Sequence, residues 1–425
     1  MYFGIDNNNR PTADFENIGL ELKSTPMKEL QNGKITPKER LVLNIIDYMK
    51  VEENGWKGAF LDKDSDLLIV FYLYRKDVSY QEFKIIKTTR WTFPEEDRKI
   101  LRDDWNTIEG MILGGRADEL SERFTTYLAA CRKGAGHGGD MRDAPGPGGD
   151  VIKAAQRALS LKPSYMLKVF MESKDLNEVL GSPVTVDGFG IQDERTDSAP
   201  IELDAPLQSY STYDEAVIAR ISRFKGMRCE DIENLTWAQN VASKSYYASI
   251  SCAMFGVRKK HIQEFVDGDI TMKIIRLKRN GRSKESMSFP FFRYDVLTES
   301  EWEDCDFHNQ LDHRFFFMVF QMTDPNDSSP RDAVFLGGFF WSMPEQDMNE
   351  ARRVWERTRQ MVLDGKYEGF PKMTESRVAH VRPHAKNSYD LTPGIDGEMH
   401  KKYCFWLNAD YISGIVPFPT NDGTI

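Results

Sequence analysis

Apolar and polar residues alternate through "IGLELKSTP", Ile18 to Pro26, the period-two signature of a half-buried strand. Two apolar, β-rich runs follow, "ERLVLNIIDY" and "DLLIVFYLY", and both read as strands. In "FPEEDRKILRDDWNTIEGMIL" the spacing lengthens to that of a helix, and proline with acids at Pro94–Asp97 marks its start. The same series recurs downstream, with "HRFFFMVFQM" as strand and "MPEQDMNEARRVWERTRQMVL" as helix. Three strands followed by a helix predict an α/β fold, a mixed sheet flanked by helices.

The recurrence extends to residue identities. "WNTIEGMILGG" from Trp105 and "WERTRQMVLDG" from Trp355 share Trp, Met, Leu and the last Gly at an offset of 250. That offset also sets "LELKSTPM" over "ITMKIIRL", Lys23 over Lys273. "LQNGKITPKE" faces "LKRNGRSKE", and "YFG" ending at Gly4 faces "MFG" ending at Gly256. Four coincidences in order predict two tandem, diverged copies of one domain, residues 1–175 and 211–425. A stretch with helical patterning precedes "MFG", whereas only Met1 precedes "YFG", so the first copy is expected to lack the opening helices of the second.

Residues 176–210 are rich in Pro, Gly, Ser and Asp and read as an acidic linker. The net charge of −10 falls mostly there, because residues 176–215 hold nine acids and one arginine. Both copies are therefore near neutral and free to present basic faces. Residues 133–150 carry seven glycines and read as a long flexible loop. The five cysteines are scattered without a CxxC pair, which argues for a reducing, cytoplasmic setting and against a zinc site. No apolar run is long enough for a transmembrane helix, and the N-terminal residues do not resemble a secretory signal.

The chemistry concentrates in "DFENIGLELK", where Asp14, Glu21 and Lys23 form a D-x6-E-x-K pattern. On a strand, Glu21 and Lys23 project from one face, and Asp14 can fold back beside Glu21. Two carboxylates with a backbone carbonyl make an oxygen cage suited to Mg²⁺. The metal would neutralise a phosphate oxygen and activate a water that Lys23 orients. The spacing alone leaves two readings open, a phosphodiesterase site and ordinary charge on a strand face.

The segment "DFENIGLELKSTPMKEL" resembles the catalytic segment of MutH-like nucleases. These belong to the PD-(D/E)xK group that includes the mismatch-repair nickase MutH and the Sau-type GATC-cutting restriction enzymes. The likeness continues through "KERLVLNIIDY", the helix and "RALSLKPSYMLKVF", and through "FFWSMPEQDMNEARRVW" and "AHVRPH" of the second copy. The two-copy plan resembles the Sau-type enzymes. By this resemblance Asp14 and Glu21 are metal ligands, Lys23 is the catalytic lysine, and Lys63 is the candidate for a further family lysine.

The resemblance also assigns DNA contacts. Lys133 takes the place of a DNA-contacting lysine, Arg132 stands in for a family arginine that aligns with Cys131, and Tyr165 matches a site-reading tyrosine. In the second copy Glu264, Thr271 and Lys273 replace Asp14, Glu21 and Lys23, and threonine is no substitute for a carboxylate ligand. Arg382 and His384 nevertheless hold the DNA-contacting positions, Trp406 is expected near the place of Tyr165, and Lys273 to Lys284 form a basic run.

The implied function is a Mg²⁺-dependent type II restriction endonuclease acting on double-stranded DNA at GATC. The second lobe would bind DNA as an effector. Cutting both strands needs two active sites, so two chains should meet on DNA, or one chain must act twice. The alternatives are a GATC-specific repair nickase and an inactive sequence-specific DNA-binding protein.

Overall fold

The computed structural model describes residues 12–30, 33–133, 140–176, 190–191, 197–238, 245–323, 329–384, 387 and 389–419. The "YFG" motif and residues 177–189 and 192–196 of the acidic linker lie outside these. The chain divides into two compact units, residues 1–216 with 261–270, and residues 217–260 with 271–425.

In the first unit, β1 (Glu21–Glu29) pairs antiparallel with β2 (Lys34–Pro37) and parallel with β4 (Asp66–Tyr74), which pairs antiparallel with β5 (Lys84–Thr92). This is the mixed sheet that the patterning predicts. Its apolar face holds Met27, Leu67, Ile69, Phe71 and Leu73, all buried. A second sheet has the order β3 (Leu41–Ile45), β9 (Arg157–Leu161), β6 (Leu128–Arg132). Two short helices, α1 (Val51–Trp56) and α2 (Asp62–Asp64), precede α3 (Glu95–Leu113), which starts after Pro94 as expected and buries Ile100, Leu101, Trp105, Ile108 and Ile112 along one face.

The second unit repeats this plan. Strands Ile270–Leu277, Arg314–Gln321 and Val334–Trp341 form one sheet in that order, and Met287–Phe291, Tyr403–Leu407 and Ala379–Pro383 form another. Its helix Glu345–Leu363 has the same 19-residue length as α3 and also follows a proline, Pro344. The shared terminal glycine has a structural cause. Gly115 and Gly365 both adopt φ 74°, and the following residues, Arg116 and Lys366, donate back to Met111 O and Met361 O at 2.9 and 2.8 Å. Each glycine is the left-handed residue that closes its helix.

One expectation is corrected. Residues 141–150 belong to a hairpin, β7 (Met141–Pro145) with β8 (Val151–Ala155), not to a long loop. The glycines and prolines form its tip, where Gly146 N donates to Asp150 O at 2.8 Å and Gly149 takes φ 80°. Residues 134–139, the rest of that glycine-rich stretch, lie outside the description.

Candidate active site

The six-residue spacing between Asp14 and Glu21 is a tight turn. Glu16–Ile18 make one 3₁₀ turn, Gly19 closes it at φ 63°, and Phe15 and Leu20 bridge across it. The chain thus doubles back and sets Asp14 beside the start of β1. Asp14 N donates to Glu21 Oε2 at 3.0 Å, and Leu22 N donates to Asp14 Oδ2 at 3.2 Å. Both carboxylates are therefore oriented by the backbone of the turn.

Glu21 is buried at the head of β1, and Lys23 follows on the same face. Lys23 Nζ lies 2.9 Å from Glu21 Oε1, and Lys63 Nζ lies 3.4 Å from the same oxygen. Lys63 is delivered by the short helix α2 (Asp62–Asp64), immediately before β4. The parallel pairing of β4 with β1, Glu21 opposite Leu67, brings α2 to the head of β1. All four residues proposed from sequence therefore lie together.

The structure adds Asp64 and Asn44, which the sequence reading missed. Asp64 is fully buried, with Oδ1 3.5 Å from Lys23 Nζ and Oδ2 accepting from Asn44 Nδ2 at 2.5 Å. Burial pushes its carboxyl up to about 6; Lys23 opposes the shift, Glu21 adds to it, and Lys63 opposes it again. The sequence signal was faint, an acid in the polar cluster "KDSD" just before an apolar strand.

The donor set fits a hard divalent cation, since Asp14 and Glu21 offer only carboxylate oxygens. Glu21 Oε1, facing two ammonium groups, is an oxygen already held in a cation-binding role. Among the described residues no three His, Cys, Asp or Glu side chains converge on a metal position. Asp14 and Glu21 would supply only two carboxylates to a cation, and water and phosphate would have to complete its coordination shell.

The DNA-contact candidates divide. Arg132 and Lys133 are exposed at the end of β6. Arg382 and His384 are exposed at the equivalent strand end of the second unit. The register agrees as well: Cys131 pairs with Ala158, and Arg382 pairs with Cys404, at matching places in matching sheets. Arg382 lies over the Trp406 ring at 3.6 Å, and His384 meets that ring edge-on at 5.7 Å. His380 is buried and bonded to Asn408 at 2.6 Å, and burial lowers its pKa.

Tyr165 is not at a surface. It is wholly buried in helix α4 (Pro163–Glu172), and its hydroxyl donates to Asp97 Oδ2 at 2.8 Å, with Lys168 Nζ on Asp97 Oδ1 at 2.6 Å. Its counterpart is Tyr411, which donates to Asp347 Oδ2 at 2.8 Å. Trp406 is therefore not the match of Tyr165. It lies on Tyr403–Leu407, the strand equivalent to β9.

The second unit lacks the charged cluster. Thr271 holds the place of Glu21, and counting back four residues from the matched pairs Leu67–Trp91 and Phe315–Trp341 sets Leu311, buried, at the place of Lys63. Glu264, the counterpart of Asp14 in the repeat, packs with the first unit, where it accepts from Ile201 N at 3.1 Å, and burial raises its pKa. Lys273 has no carboxylate partner among the described residues, and burial alone lowers its pKa. Within the basic run, Arg276 pairs with Glu285, and Arg282 with Asp410 at 2.5 Å.

Paired acids and lysines at the head of a mixed sheet are the arrangement that the resemblance to MutH-like nucleases implies. The family model described as "DNA mismatch repair enzyme MutH" matches residues 3–104. The chain is 30% identical to the type II restriction enzyme Sau3AI of Staphylococcus aureus, over 97% of this chain and 89% of that protein. It is 24% identical to the DNA mismatch repair protein MutH of Vibrio parahaemolyticus, over 40% of this chain and 74% of that one. The chain belongs to the MutH-related family of site-specific deoxyribonucleases that includes Sau3AI. Nucleases of this kind generally use a divalent metal. No helix among the described residues is long and apolar enough to cross a membrane.

Proposed function

We propose that this restriction endonuclease cuts both strands of DNA at GATC with Mg²⁺, using the first unit for catalysis and the second for binding. The observation that carries the reading is the meeting of Glu21 with Asp14, Lys23 and Lys63 in the first unit, against Thr271 and Leu311 at the equivalent places in the second.

Asp14 and Glu21 would hold the cation, which when bound neutralises a phosphate oxygen and acidifies a water. Lys23 orients the attacking water and stabilises charge developing on the phosphate. Lys63 supplies a second positive charge on the same side. The turn at Gly19 keeps Asp14 in reach throughout. Arg132 and Lys133 in the first unit, and Arg382, His384 and Trp406 in the second, would contact DNA, the cations through phosphate and guanine edges. Affinity should fall steeply with salt as counterions are released.

The two units are read as diverged copies, the first ending near residue 175 and the second starting near 211. A second recognition site bound by the later copy would raise cleavage at the first, a coupling of typically ~1–3 kcal/mol. Short GATC duplexes should then stimulate cutting of a one-site plasmid, and no stimulation at any duplex concentration would sink the effector role. The mismatch-repair relatives, which match only part of the chain, keep a nickase as the second reading. Digestion of methylated and unmethylated GATC plasmid, with and without Mg²⁺, separates them: linear product supports the restriction enzyme, and product that stays nicked supports the nickase.

A further inference from the structure

We infer that Asp64 is a positioning residue that keeps the Lys23 ammonium in place once Glu21 engages a cation. The inference rests on the nuclease reading above. Glu21 Oε1 carries both ammonium groups, Lys23 at 2.9 Å and Lys63 at 3.4 Å. An oxygen that ligates a divalent cation cannot anchor them to the same degree, because the cation repels each of them. Lys23 then needs another anion.

Asp64 meets that need. Its Oδ1 lies 3.5 Å from Lys23 Nζ, and among the described residues no hydrogen-bond donor occupies that oxygen. Its other oxygen is fixed by Asn44 Nδ2 at 2.5 Å, and Asn44 also donates to Ala59 O at 3.3 Å. The carboxylate is therefore buried, tethered through one oxygen and aimed through the other at the lysine. Lys23 comes from β1, Asn44 from β3, and Asp64 from the residues before β4, so three elements fix one ammonium. An ionised carboxylate in a buried site is costly unless it is paired, and Lys23 is the partner that offsets this cost.

Plasmid cleavage by the full chain at saturating Mg²⁺ tests this with Asp64→Asn, Lys23→Ala and the double variant. Asparagine is isosteric, keeps an acceptor for Asn44 and removes the charge facing Lys23. For Asp64→Asn, kcat should fall on the order of tenfold to a hundredfold, with KM and the half-saturating Mg²⁺ concentration unchanged. On the Lys23→Ala background, followed in single-turnover reactions, the same change should cost nothing further. Asn44→Ala frees Asp64 without altering its charge, should lose kcat in the same pattern to a smaller extent, and replaces Asp64→Asn if that variant does not fold. Wild-type kcat in both variants, an additive loss in the double variant, or a shifted Mg²⁺ requirement would overturn the assignment. A wild-type chain that cuts nothing with Mg²⁺ would instead overturn the nuclease reading beneath it.

Discussion

Lys23 and Glu21, two residues apart on one strand, are ion-paired at 2.9 Å, and Lys63 shares the same carboxylate oxygen at 3.4 Å. A cation arriving at Glu21 must work against both lysines. Lys63→Ala should therefore tighten Mg²⁺ binding to the DNA-free protein, by about three- to tenfold after solvent screening. The same variant should cut more slowly, since it loses a positive charge beside the phosphate. Calorimetric Mg²⁺ titration beside plasmid cleavage measures both. Weaker Mg²⁺ binding would mean that Lys63 supports the ligands instead of competing with the metal.

The turn that folds Asp14 onto β1 depends on Gly19 at φ 63°. A Cβ there would touch nothing, so Gly19→Ala tests backbone strain alone. It should cost roughly 1–2 kcal/mol locally. Activity should fall more than global stability does, because the strain is relieved by moving Asp14. Melting temperature and kcat, measured side by side, check this.

Asp64 carries a stability cost with a definite sign. Its carboxyl is raised from 3.8 to about 6 by burial, so the native state holds the proton more firmly than the unfolded one. Its contribution is fully present below about pH 4 and is lost as pH rises through about 6. Asp64→Asn, which cannot ionise, should therefore be more stable than wild type at pH 8, on the order of 2 kcal/mol, with the difference closing toward pH 4. Urea unfolding at the two pH values is the measurement. A gain at pH 8 together with lost kcat would be a trade of stability for function.

Tyr165 and Tyr411 act as matching core anchors, each donating to a helix aspartate at 2.8 Å. Tyr165→Phe leaves Asp97 with one fewer donor and should cost roughly 1.5–3 kcal/mol of stability. Relative binding to GATC and to mismatched duplexes should not change. Altered base preference in a folded variant would return the residue to a reading role.

Much of this fold was legible because its elements obey simple periods. The strand at "DLLIVFYLY" and both 19-residue helices appear where alternation and helical spacing place them. The shared terminal Gly was visible as a repeat, and its left-handed φ gives the reason. The hairpin at 141–155 was hidden because turn-forming glycines and prolines look like an unstructured run when the short strands beside them are ignored. Asp14, Glu21 and Lys23 could be grouped because they are close in sequence. Asp64 could not, since its relation to Lys23 depends on the register between β1 and β4, and on Asn44 from a third strand. Tyr165 shows the opposite error, in which a motif position read as a contact turns out to be core.

The central claim is tested most directly by Glu21→Ala beside wild type, on a plasmid with one GATC site, with and without Mg²⁺. Wild type should linearise the plasmid only with the metal. Glu21→Ala should lose on the order of a thousandfold or more in rate while still binding a GATC duplex. Equal cleavage by the two proteins, or none by wild type despite tight GATC binding, would contradict the assignment of Glu21 and of the first unit as the nuclease.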